Sequence, residues 1–235
     1  MTQAMLSVKD LNAYYGKSHV LRGVNMEIMP GEVIALLGRN GVGRSTTAKA
    51  IMGEVEPKGE ITFKGQPISG LESYQIARLG LGYVPESRDI FPAMTVRQNL
   101  ILGIKDMRHP GKHTVDQMLD MFPNLRARAD NLAGVLSGGE KQMLTMCRTL
   151  MGDPELIIID EPTEGLAPKI VHQIGDVIAE IAKTGVSILL VEQKLSIALR
   201  IADRVYVMGH GEIVYSGTPE EFKTRDDVRA EWLEV

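Results

Sequence analysis

The chain has 235 residues, 44% apolar and 24% charged, with a formal net charge of −4 at pH 7. This length allows one compact domain with a large core and a subdomain, and the slight negative charge gives no electrostatic reason to expect a nucleic acid as partner. The longest apolar runs are about five residues, far short of the roughly 20 that span a bilayer, and Met1 to Lys9 lack the apolar core of a signal peptide. The chain has a single cysteine, Cys147, which rules out an intrachain disulfide and is compatible with the reducing cytosol. Cys147 lies in an apolar helical pattern, which predicts a buried structural thiol.

The first third of the chain is predicted to be mainly β. Alternating apolar residues predict half-buried strands around residues 6–11 and 24–28, and a further strand at 60–64. The apolar run 33–37 predicts a strand that leads through a glycine-rich loop into a helix at 45–53. We therefore expect an antiparallel β layer around the strand that precedes this loop.

The middle of the chain, from about 85 to 152, has a mainly helical pattern, with Thr95 and Gln98 spaced as a capping box and Gly152-Asp153-Pro154 ending the last helix. After it, apolar strands alternate with helices, and this alternation predicts an α/β fold with a parallel sheet covered on both faces. The predicted strands are 156–159, 187–191 and 204–208, and the predicted helices are 169–183 and 196–202.

The last segment is predicted to be a hairpin followed by a helix. The hairpin turns at His210-Gly211, and Thr218, Pro219 and Glu221 match the cap, the first-turn proline and the capping-box glutamate of a terminal helix.

The loop after residues 33–37 has the glycine spacing of a phosphate-binding loop. It reads Gly38-Arg39-Asn40-Gly41-Val42-Gly43-Arg44-Ser45-Thr46. Its glycines let backbone amides approach an anion, and the helix N-terminus behind them favours negative charge, so the loop would surround the β-phosphate of a nucleotide. Ser45 is placed to ligate Mg²⁺, and Thr46 to contact the α-phosphate. For the loop taken alone, a glycine-rich turn without a ligand is the alternative.

The second chemical motif is a buried strand that ends in two adjacent carboxylates, Asp160 and Glu161. It brings both groups to the carboxyl edge of the sheet, where α/β folds bind ligands. Asp160 is suited to hold the Mg²⁺ shell, and Glu161 to polarise a water that attacks the γ-phosphate. Two acids in a solvated turn would be the alternative for this pair alone.

The third motif opens a helix with the sequence Leu136-Ser137-Gly138-Gly139-Glu140. A serine and two glycines at a helix N-terminus can meet a γ-phosphate with backbone amides and a hydroxyl. An ordinary helix cap is the better interpretation of this string in isolation. The order of the three motifs along the chain is far more specific than any one of them.

With these motifs in this order, essentially the whole chain resembles an ABC transporter ATP-binding subunit. The resemblance implies a P-loop NTPase with a RecA-like core, an antiparallel β subdomain and an α-helical subdomain. It places the core and the β subdomain in residues 1–85 and 153–235, and the helical subdomain in 86–152. It further implies a head-to-tail dimer in which each ATP lies between one phosphate loop and the other subunit's segment 136–140. Tyr15 matches the aromatic residue that stacks on adenine, with a core tyrosine as the alternative.

Within that family the chain is most similar to the branched-chain amino acid importers, with their urea and amide relatives. The strings that carry this likeness are Tyr83-Val84-Pro85-Glu86, Phe91-Pro92, Thr95-Val96, Asp160-Glu161-Pro162, Gly165-Leu166-Ala167-Pro168 and Val191-Glu192-Gln193. They imply a peripheral subunit on the cytoplasmic face of the plasma membrane, working with two polytopic permease subunits and a solute-binding protein. The permease would dock near residues 86–95, where Ile90, Phe91 and Met94 are either apolar contacts or core residues.

Four residues depart from the general ABC pattern. Glu86 stands where a glutamine is usual, although a carboxylate can still ligate the metal. Ala167 replaces an aspartate in the loop that faces the opposite subunit. Gln193 holds the switch position usually held by histidine, and it can hydrogen-bond to the γ-phosphate but cannot become positively charged. None of the five histidines falls where it could substitute; they are His19, His109, His113, His172 and His210.

The fourth departure is Arg44, which replaces the lysine of the phosphate loop. Guanidinium is planar and bulkier than ammonium, so we expect nucleotide binding to survive in part and hydrolysis to suffer. This leads to the hypothesis that the chain pairs with a related but different ATPase subunit, giving two unequal sites, with a homodimer as the alternative.

Two further function classes stay open. One is a soluble ABC ATPase outside transport, and the other is a nucleotide-binding subunit with a degenerate, slow site.

Overall fold

The computed structural model describes residues 3–108 and 111–233, so Met1 and His109 lie outside the described residues. Within these ranges the strands form one sheet of four and one sheet of six. The strands are β1 (Leu6–Tyr15), β2 (Ser18–Ile28), β3 (Val33–Gly38), β4 (Pro57–Phe63), β5 (Gln66–Pro67), β6 (Leu81–Val84), β7 (Leu156–Asp160), β8 (Ser187–Glu192), β9 (Arg204–Gly209) and β10 (Glu212–Gly217). The helices are α1 (Arg44–Ile51), α2 (Ser73–Arg78), α3 (Val96–Ile101), α4 (Val115–Met121), α5 (Pro123–Arg126), α6 (Gly138–Leu150), α7 (Pro168–Lys183), α8 (Leu195–Ile201), α9 (Pro219–Lys223) and α10 (Asp226–Trp232).

The six-stranded sheet confirms the predicted α/β fold. Its strand order is β10-β9-β3-β8-β7-β6, with every neighbouring pair parallel except β10 and β9. Strands β3, β7 and β8 are buried at every residue, as expected of parallel strands with both faces covered. The carboxyl ends of these three strands therefore meet at one edge of the sheet.

The antiparallel layer differs from the expectation in one respect. Strands β2, β1, β4 and β5 form a sheet of their own, while the strand before the phosphate loop, β3, belongs to the six-stranded sheet. The reason is burial: β1 and β2 largely alternate buried and exposed residues, which suits a sheet with one solvated face, whereas β3 is apolar on both faces. The backbone of Arg22 donates to Gly211 O at 2.9 Å and ties β2 to the β9–β10 turn.

The middle region is helical as predicted, and its helices begin at hydrogen-bonded caps. Thr95 and Gln98 cap each other at the start of α3, and Ser137 and Glu140 do the same for α6. The apolar stripe of α6 is buried, including Cys147, and burial raises the pKa of that thiol well above its usual value. Cys147 is thus a structural thiol.

The C-terminal part contains one helix more than predicted. The turn at His210-Gly211 and the capped helix α9 are present, and α10 follows. Phe222 of α9 and Val228 of α10 are buried against Val205 and Val207 of β9, so these helices cover the outer face of the sheet. Helix α2 and strand β6 were also not predicted. In the described part of the chain, none of the helices combines the length and the apolar character needed to cross a bilayer.

Candidate functional site

The phosphate loop, the acidic strand end and the predicted switch residue meet at the carboxyl edge of the sheet. Strand β8 lies between β3 and β7, with Leu37 paired to Glu192 and Val191 paired to Asp160. Residues that follow β3, β7 and β8 must therefore lie side by side, although they are far apart in sequence.

The phosphate loop has the backbone conformation expected of an anion-binding turn. Gly41 and Gly43 have φ angles of 82° and 110°, and a Cβ on Gly43 would lie 2.7 Å from Leu21 Cδ2. Gly43 precedes the first turn of α1, so the amides of that turn face a recess of about 120 Å³. The recess is lined by Val20, Gly41, Gly43, Arg44, Ser45, Thr46 and Glu161. Arg39 and Asn40 form the exposed tip of the loop, joined to Val42 by a hydrogen bond from Val42 N to Arg39 O.

Asp160 is held by the hydroxyls of two other elements. Ser45 Oγ of α1 donates to Asp160 Oδ1 at 3.0 Å, and Tyr83 OH of β6 donates to Oδ2 at 3.3 Å. Burial raises the pKa of Asp160, while these two hydrogen bonds oppose the rise, and burial and Asp160 together raise the pKa of Tyr83. A serine hydroxyl beside a carboxylate is a hard-oxygen donor pair of the kind Mg²⁺ prefers, so these residues fit that ion.

Glu86 lies on the same side of the site. It lines a recess of about 200 Å³ together with Asp160, Tyr83 and Lys49. A hydrogen bond with the Glu164 side chain raises the pKa of Glu86, and burial adds to the rise. Glu86 and Asp160 line the same recess, so both carboxylates are placed to ligate an ion bound there.

Arg44 is buried and bonded to protein acceptors. Its guanidinium Nη2 lies 2.7 Å from Glu161 Oε1 and 2.9 Å from Asn40 Oδ1, and the side chain is only 3% exposed. Among the described residues, Nη1 has no hydrogen-bond partner. One nitrogen of the guanidinium is thus engaged by the carboxylate, and another is left with unused donor capacity next to the phosphate-loop recess.

Glu161 is held in a restricted backbone conformation. Its φ is +43°, and its backbone N donates to Val191 O at 2.9 Å, which ties it to β8. Burial raises the pKa of Glu161 to about 7; Arg44 opposes the rise, and Glu164 and Asp160 add to it. A carboxyl group with that pKa can exchange a proton near neutral pH, which suits a general base.

Ser137 is used as a helix cap and is exposed. Its backbone N and its Oγ both donate to Glu140 Oε2, at 2.8 and 2.7 Å, and Gly138 and Gly139 start α6 behind it. In residues 3–108 and 111–233, no hydrogen bond joins Ser137 to the phosphate loop. The structure therefore does not bring this motif into the site of the same chain.

Tyr15 lies at the end of β1 and is 49% exposed, so it is not a core tyrosine. Its neighbour Tyr14 is already engaged, stacked on His19 with a centroid distance of 4.3 Å and with Lys58 over its ring.

Gln193 is exposed, directly after β8, and its backbone N donates to Glu192 Oε2.

Sequence reasoning missed three residues near the site. Tyr83 was noted only as part of a family string, and Glu192 and Thr163 received no role. One of them, Glu192, could have been found from the sequence, because a charged residue at the end of a buried apolar strand needs hydrogen-bond partners.

Known proteins resemble this chain in sequence and in structure. Residues 21–164 match the ABC transporter family profile. The high-affinity branched-chain amino acid transport ATP-binding protein BraG of Pseudomonas aeruginosa is 39% identical over 97% of this chain and 99% of its own. A probable branched-chain amino acid transport ATP-binding protein, LivF of Archaeoglobus fulgidus, is 36% identical over 92% and 93%. The lipopolysaccharide export ATP-binding protein LptB of Haemophilus influenzae is 31% identical over 98% and 97%.

Solved structures agree with this relationship. The ADP conformation of MJ1267, an ATP-binding cassette of an ABC transporter, superimposes with a TM-score of 0.82 at 28% identity over 98% of this chain and 96% of that one. A nucleotide-free ABC cassette gives a TM-score of 0.81 at 28% identity, over 94% of each chain. Subunits of this kind bind ATP, associate with membranes and work with membrane permease subunits. The family and the P-loop NTPase fold implied by the sequence are confirmed: this chain belongs to the ABC transporter family, as an ATP-binding ATPase subunit homologous to those of branched-chain amino acid importers.

Proposed function

We propose that this chain binds Mg²⁺ and ATP at the carboxyl edge of its six-stranded sheet and hydrolyses ATP to drive uptake of branched-chain or other amino acids or related small polar solutes. One observation carries the chemistry: Ser45 and Glu161 both line the phosphate-loop recess, and Ser45 is bonded to Asp160. The identity with BraG and LivF over nearly the whole chain supports the class of solute.

The residues take separate roles in this proposal. Residues 38–46 cradle the phosphates, Ser45, Asp160 and Glu86 hold Mg²⁺, and Tyr15 stacks on adenine. The ion, when bound, supplies positive charge to the β- and γ-phosphates. Glu161 accepts a proton from the attacking water, and Gln193 hydrogen-bonds to the γ-phosphate.

A second ATPase subunit completes the site. Ser137 is exposed at the start of α6, with Gly138 half-buried and Gly139 buried behind it, and it is not bonded to its own phosphate loop, which suits contact with another chain's ATP. Arg44 argues for a different partner chain, because its guanidinium is committed to Glu161 and Asn40. The site built on Arg44 would then hydrolyse slowly, and Ser137 would serve the faster site.

The permease docks in a groove between the β6 edge and the helical region. The groove has a volume of about 590 Å³ and is lined by Tyr74 of α2, Phe91, Leu102 and Arg148 among others. Phe91 and Leu102 are 49% and 50% exposed, whereas Ile90 is partly buried against the core. Met94 is half-buried and does not line the groove, so we assign the apolar contact among Ile90, Phe91 and Met94 to Phe91, whose ring lies under Arg148. Docking there places the subunit at the cytoplasmic face of the membrane, below a permease fed by a solute-binding protein.

The proposed domain division follows the same groove. Residues 86–152 form the helical subdomain, and residues 1–85 and 153–235 form the core and the β subdomain. This division puts the segment 136–140 on the helical subdomain and the phosphate loop on the core.

Uptake in proteoliposomes tests the proposal. The chain would be purified with the membrane subunits that bind it, reconstituted with ATP inside the vesicles, and supplied with a solute-binding protein and labelled leucine, isoleucine or valine. We expect uptake that needs ATP inside the vesicles. We also expect uptake to disappear when both ATPase subunits carry a glutamine in place of the water-polarising glutamate, which is Glu161→Gln in this chain. Co-purification with an export system, or uptake that persists in the Glu161→Gln complex, would contradict it.

A further inference from the structure

Glu192 is a buried carboxylate at the end of β8, only 2% exposed. Its Oε1 accepts hydrogen bonds from Thr163 N and Thr163 Oγ1, at 3.2 and 2.6 Å. Its Oε2 accepts from Gln193 N and Lys194 N, at 3.1 and 3.2 Å. All four partners are donors, which an ionised carboxylate can satisfy with two oxygens.

The two oxygens hold two different segments. Thr163 begins the turn that follows Asp160 and Glu161, and Gln193 is the proposed γ-phosphate contact. A second bond joins the same segments, since Lys194 Nζ donates to Thr163 O at 3.1 Å. Thr163 and Glu192 are both fully or almost fully buried, so water cannot replace these bonds easily.

We propose that Glu192 is a positioning residue for ATP hydrolysis, clamping the turn that starts at Thr163 to the backbone of Gln193. The inference rests on the proposed function, because it assigns Gln193 to the γ-phosphate. Glu192 itself contacts no nucleotide. The chain continues from this turn to Ala167, the N-cap of α7, on the side proposed to face the second subunit. Pairing of the subunits thereby sets the position of Gln193, and loss of the clamp lowers hydrolysis at both sites of the dimer.

A carboxylate is needed at this position for a simple reason. Glutamine has nearly the same shape, but only one of its terminal atoms accepts hydrogen bonds, and in either orientation its NH₂ group would face at least one backbone N–H donor. Glu192→Gln therefore keeps the packing and breaks one side of the clamp. Thr163→Val removes only the hydroxyl bond of 2.6 Å, and Thr163→Ser keeps it.

The test measures ATP turnover of the transporter assembled from this chain and its partners, with Thr145→Val as control. Thr145 is a buried threonine of α6 whose hydroxyl donates to Lys141 O within the same helix, so its loss leaves the clamp intact. We expect Glu192→Gln and Thr163→Val each to lower kcat about tenfold with KM for ATP within about twofold of the parent. Thr163→Ser and Thr145→Val keep kcat, and the double variant Glu192→Gln/Thr163→Val loses little more than the worse single variant.

The proposal is overturned if Thr163→Val keeps its kcat, if KM rises instead of kcat falling, or if Thr163→Ser is as impaired as Thr163→Val. If Glu192→Gln does not fold, the Thr163→Val and Thr163→Ser pair decides alone. Lack of ATP turnover in the unmutated complex is a different result; it overturns the proposed function and the clamp with it.

Discussion

Arg44 and Glu161, separated by 117 positions in the sequence, form a partly buried ion pair in which Arg44 Nη2 lies 2.7 Å from Glu161 Oε1. Arg44, whose positive charge is expected to contact the phosphates, is thus bonded to Glu161, the carboxylate that is expected to polarise water. The pair weakens both proposed roles, because Arg44 lowers the basicity of Glu161 and the bond to Oε1 holds one end of the guanidinium away from the phosphates. The pair gives a structural reason for a slow site.

Arg44→Lys is predicted to raise ATP turnover at this site about tenfold, because an ammonium fits between the β- and γ-phosphates without a fork that binds the carboxylate. Single-turnover hydrolysis by the assembled transporter measures the effect. Arg97→Lys serves as matched control, since Arg97 is a partly exposed arginine paired with Asp116 on the helical surface. Equal rates for Arg44→Lys and the unmutated chain would show that arginine is not what limits the site.

The pKa of Glu161 is predicted to respond in opposite directions to the loss of two of its charged neighbours, Arg44 and Glu164. In the isolated chain its midpoint is about 7, so the carboxyl group is mostly protonated below that pH and cannot act as a base. Arg44→Met removes a cation that favours the carboxylate and should raise the pKa; Glu164→Gln removes a carboxylate that disfavours it and should lower the pKa. A titration of isotope-labelled carboxyl groups by NMR, with Glu161→Gln to assign the signal, measures both. Shifts of the same sign in both variants would rule out this account of the group's environment.

Tyr15→Ala is predicted to weaken ATP binding about tenfold, since stacking on a base contributes roughly 1–3 kcal/mol. Tyr14→Ala is the matched control, because that ring already stacks on His19. Equilibrium titration of the isolated chain with a fluorescent ATP analogue gives both affinities. If the two variants lose affinity equally, the end of β1 acts through its fold and Tyr15 is not the stacking ring.

Leu102→Glu is predicted to abolish co-purification with the permease while leaving ATP binding of the isolated chain unchanged, because it replaces an exposed apolar side chain of the groove with a charged one. Val214→Glu puts the same charge on an exposed position of β10, outside the groove, and should leave assembly intact. Pull-down of the membrane subunits with a tagged chain measures both. Normal assembly of Leu102→Glu would place the permease elsewhere.

The chemical motifs could be predicted from the sequence because they are local. The phosphate loop follows β3, and the paired acids stand where β7 ends. Because both strands are strongly apolar and parallel, the meeting of these motifs at one sheet edge follows from strand order in an α/β fold. The caps at Thr95, Ser137 and Thr218 are equally local, and the structure contains all three.

Other features depend on tertiary packing and could not be predicted. The bond between Arg44 and Glu161 depends on which acceptor a long side chain finds, and the clamp at Glu192 joins residues 29 positions apart. The assignment of β3 to the six-stranded sheet depends on which face each strand buries. Helix α10 has only Val228 buried, so its apolar pattern is too weak to mark it.

The central claim is that this chain shares ATP sites with a second subunit and completes one of them with Ser137. Steady-state ATP turnover of the assembled transporter carrying Ser137→Arg tests it most directly, because the long cation occupies the exposed helix start that would meet the other subunit's γ-phosphate. A loss of at least about tenfold is predicted, with the complex still assembled and ATP still bound. Unchanged turnover in an intact complex would contradict the shared site.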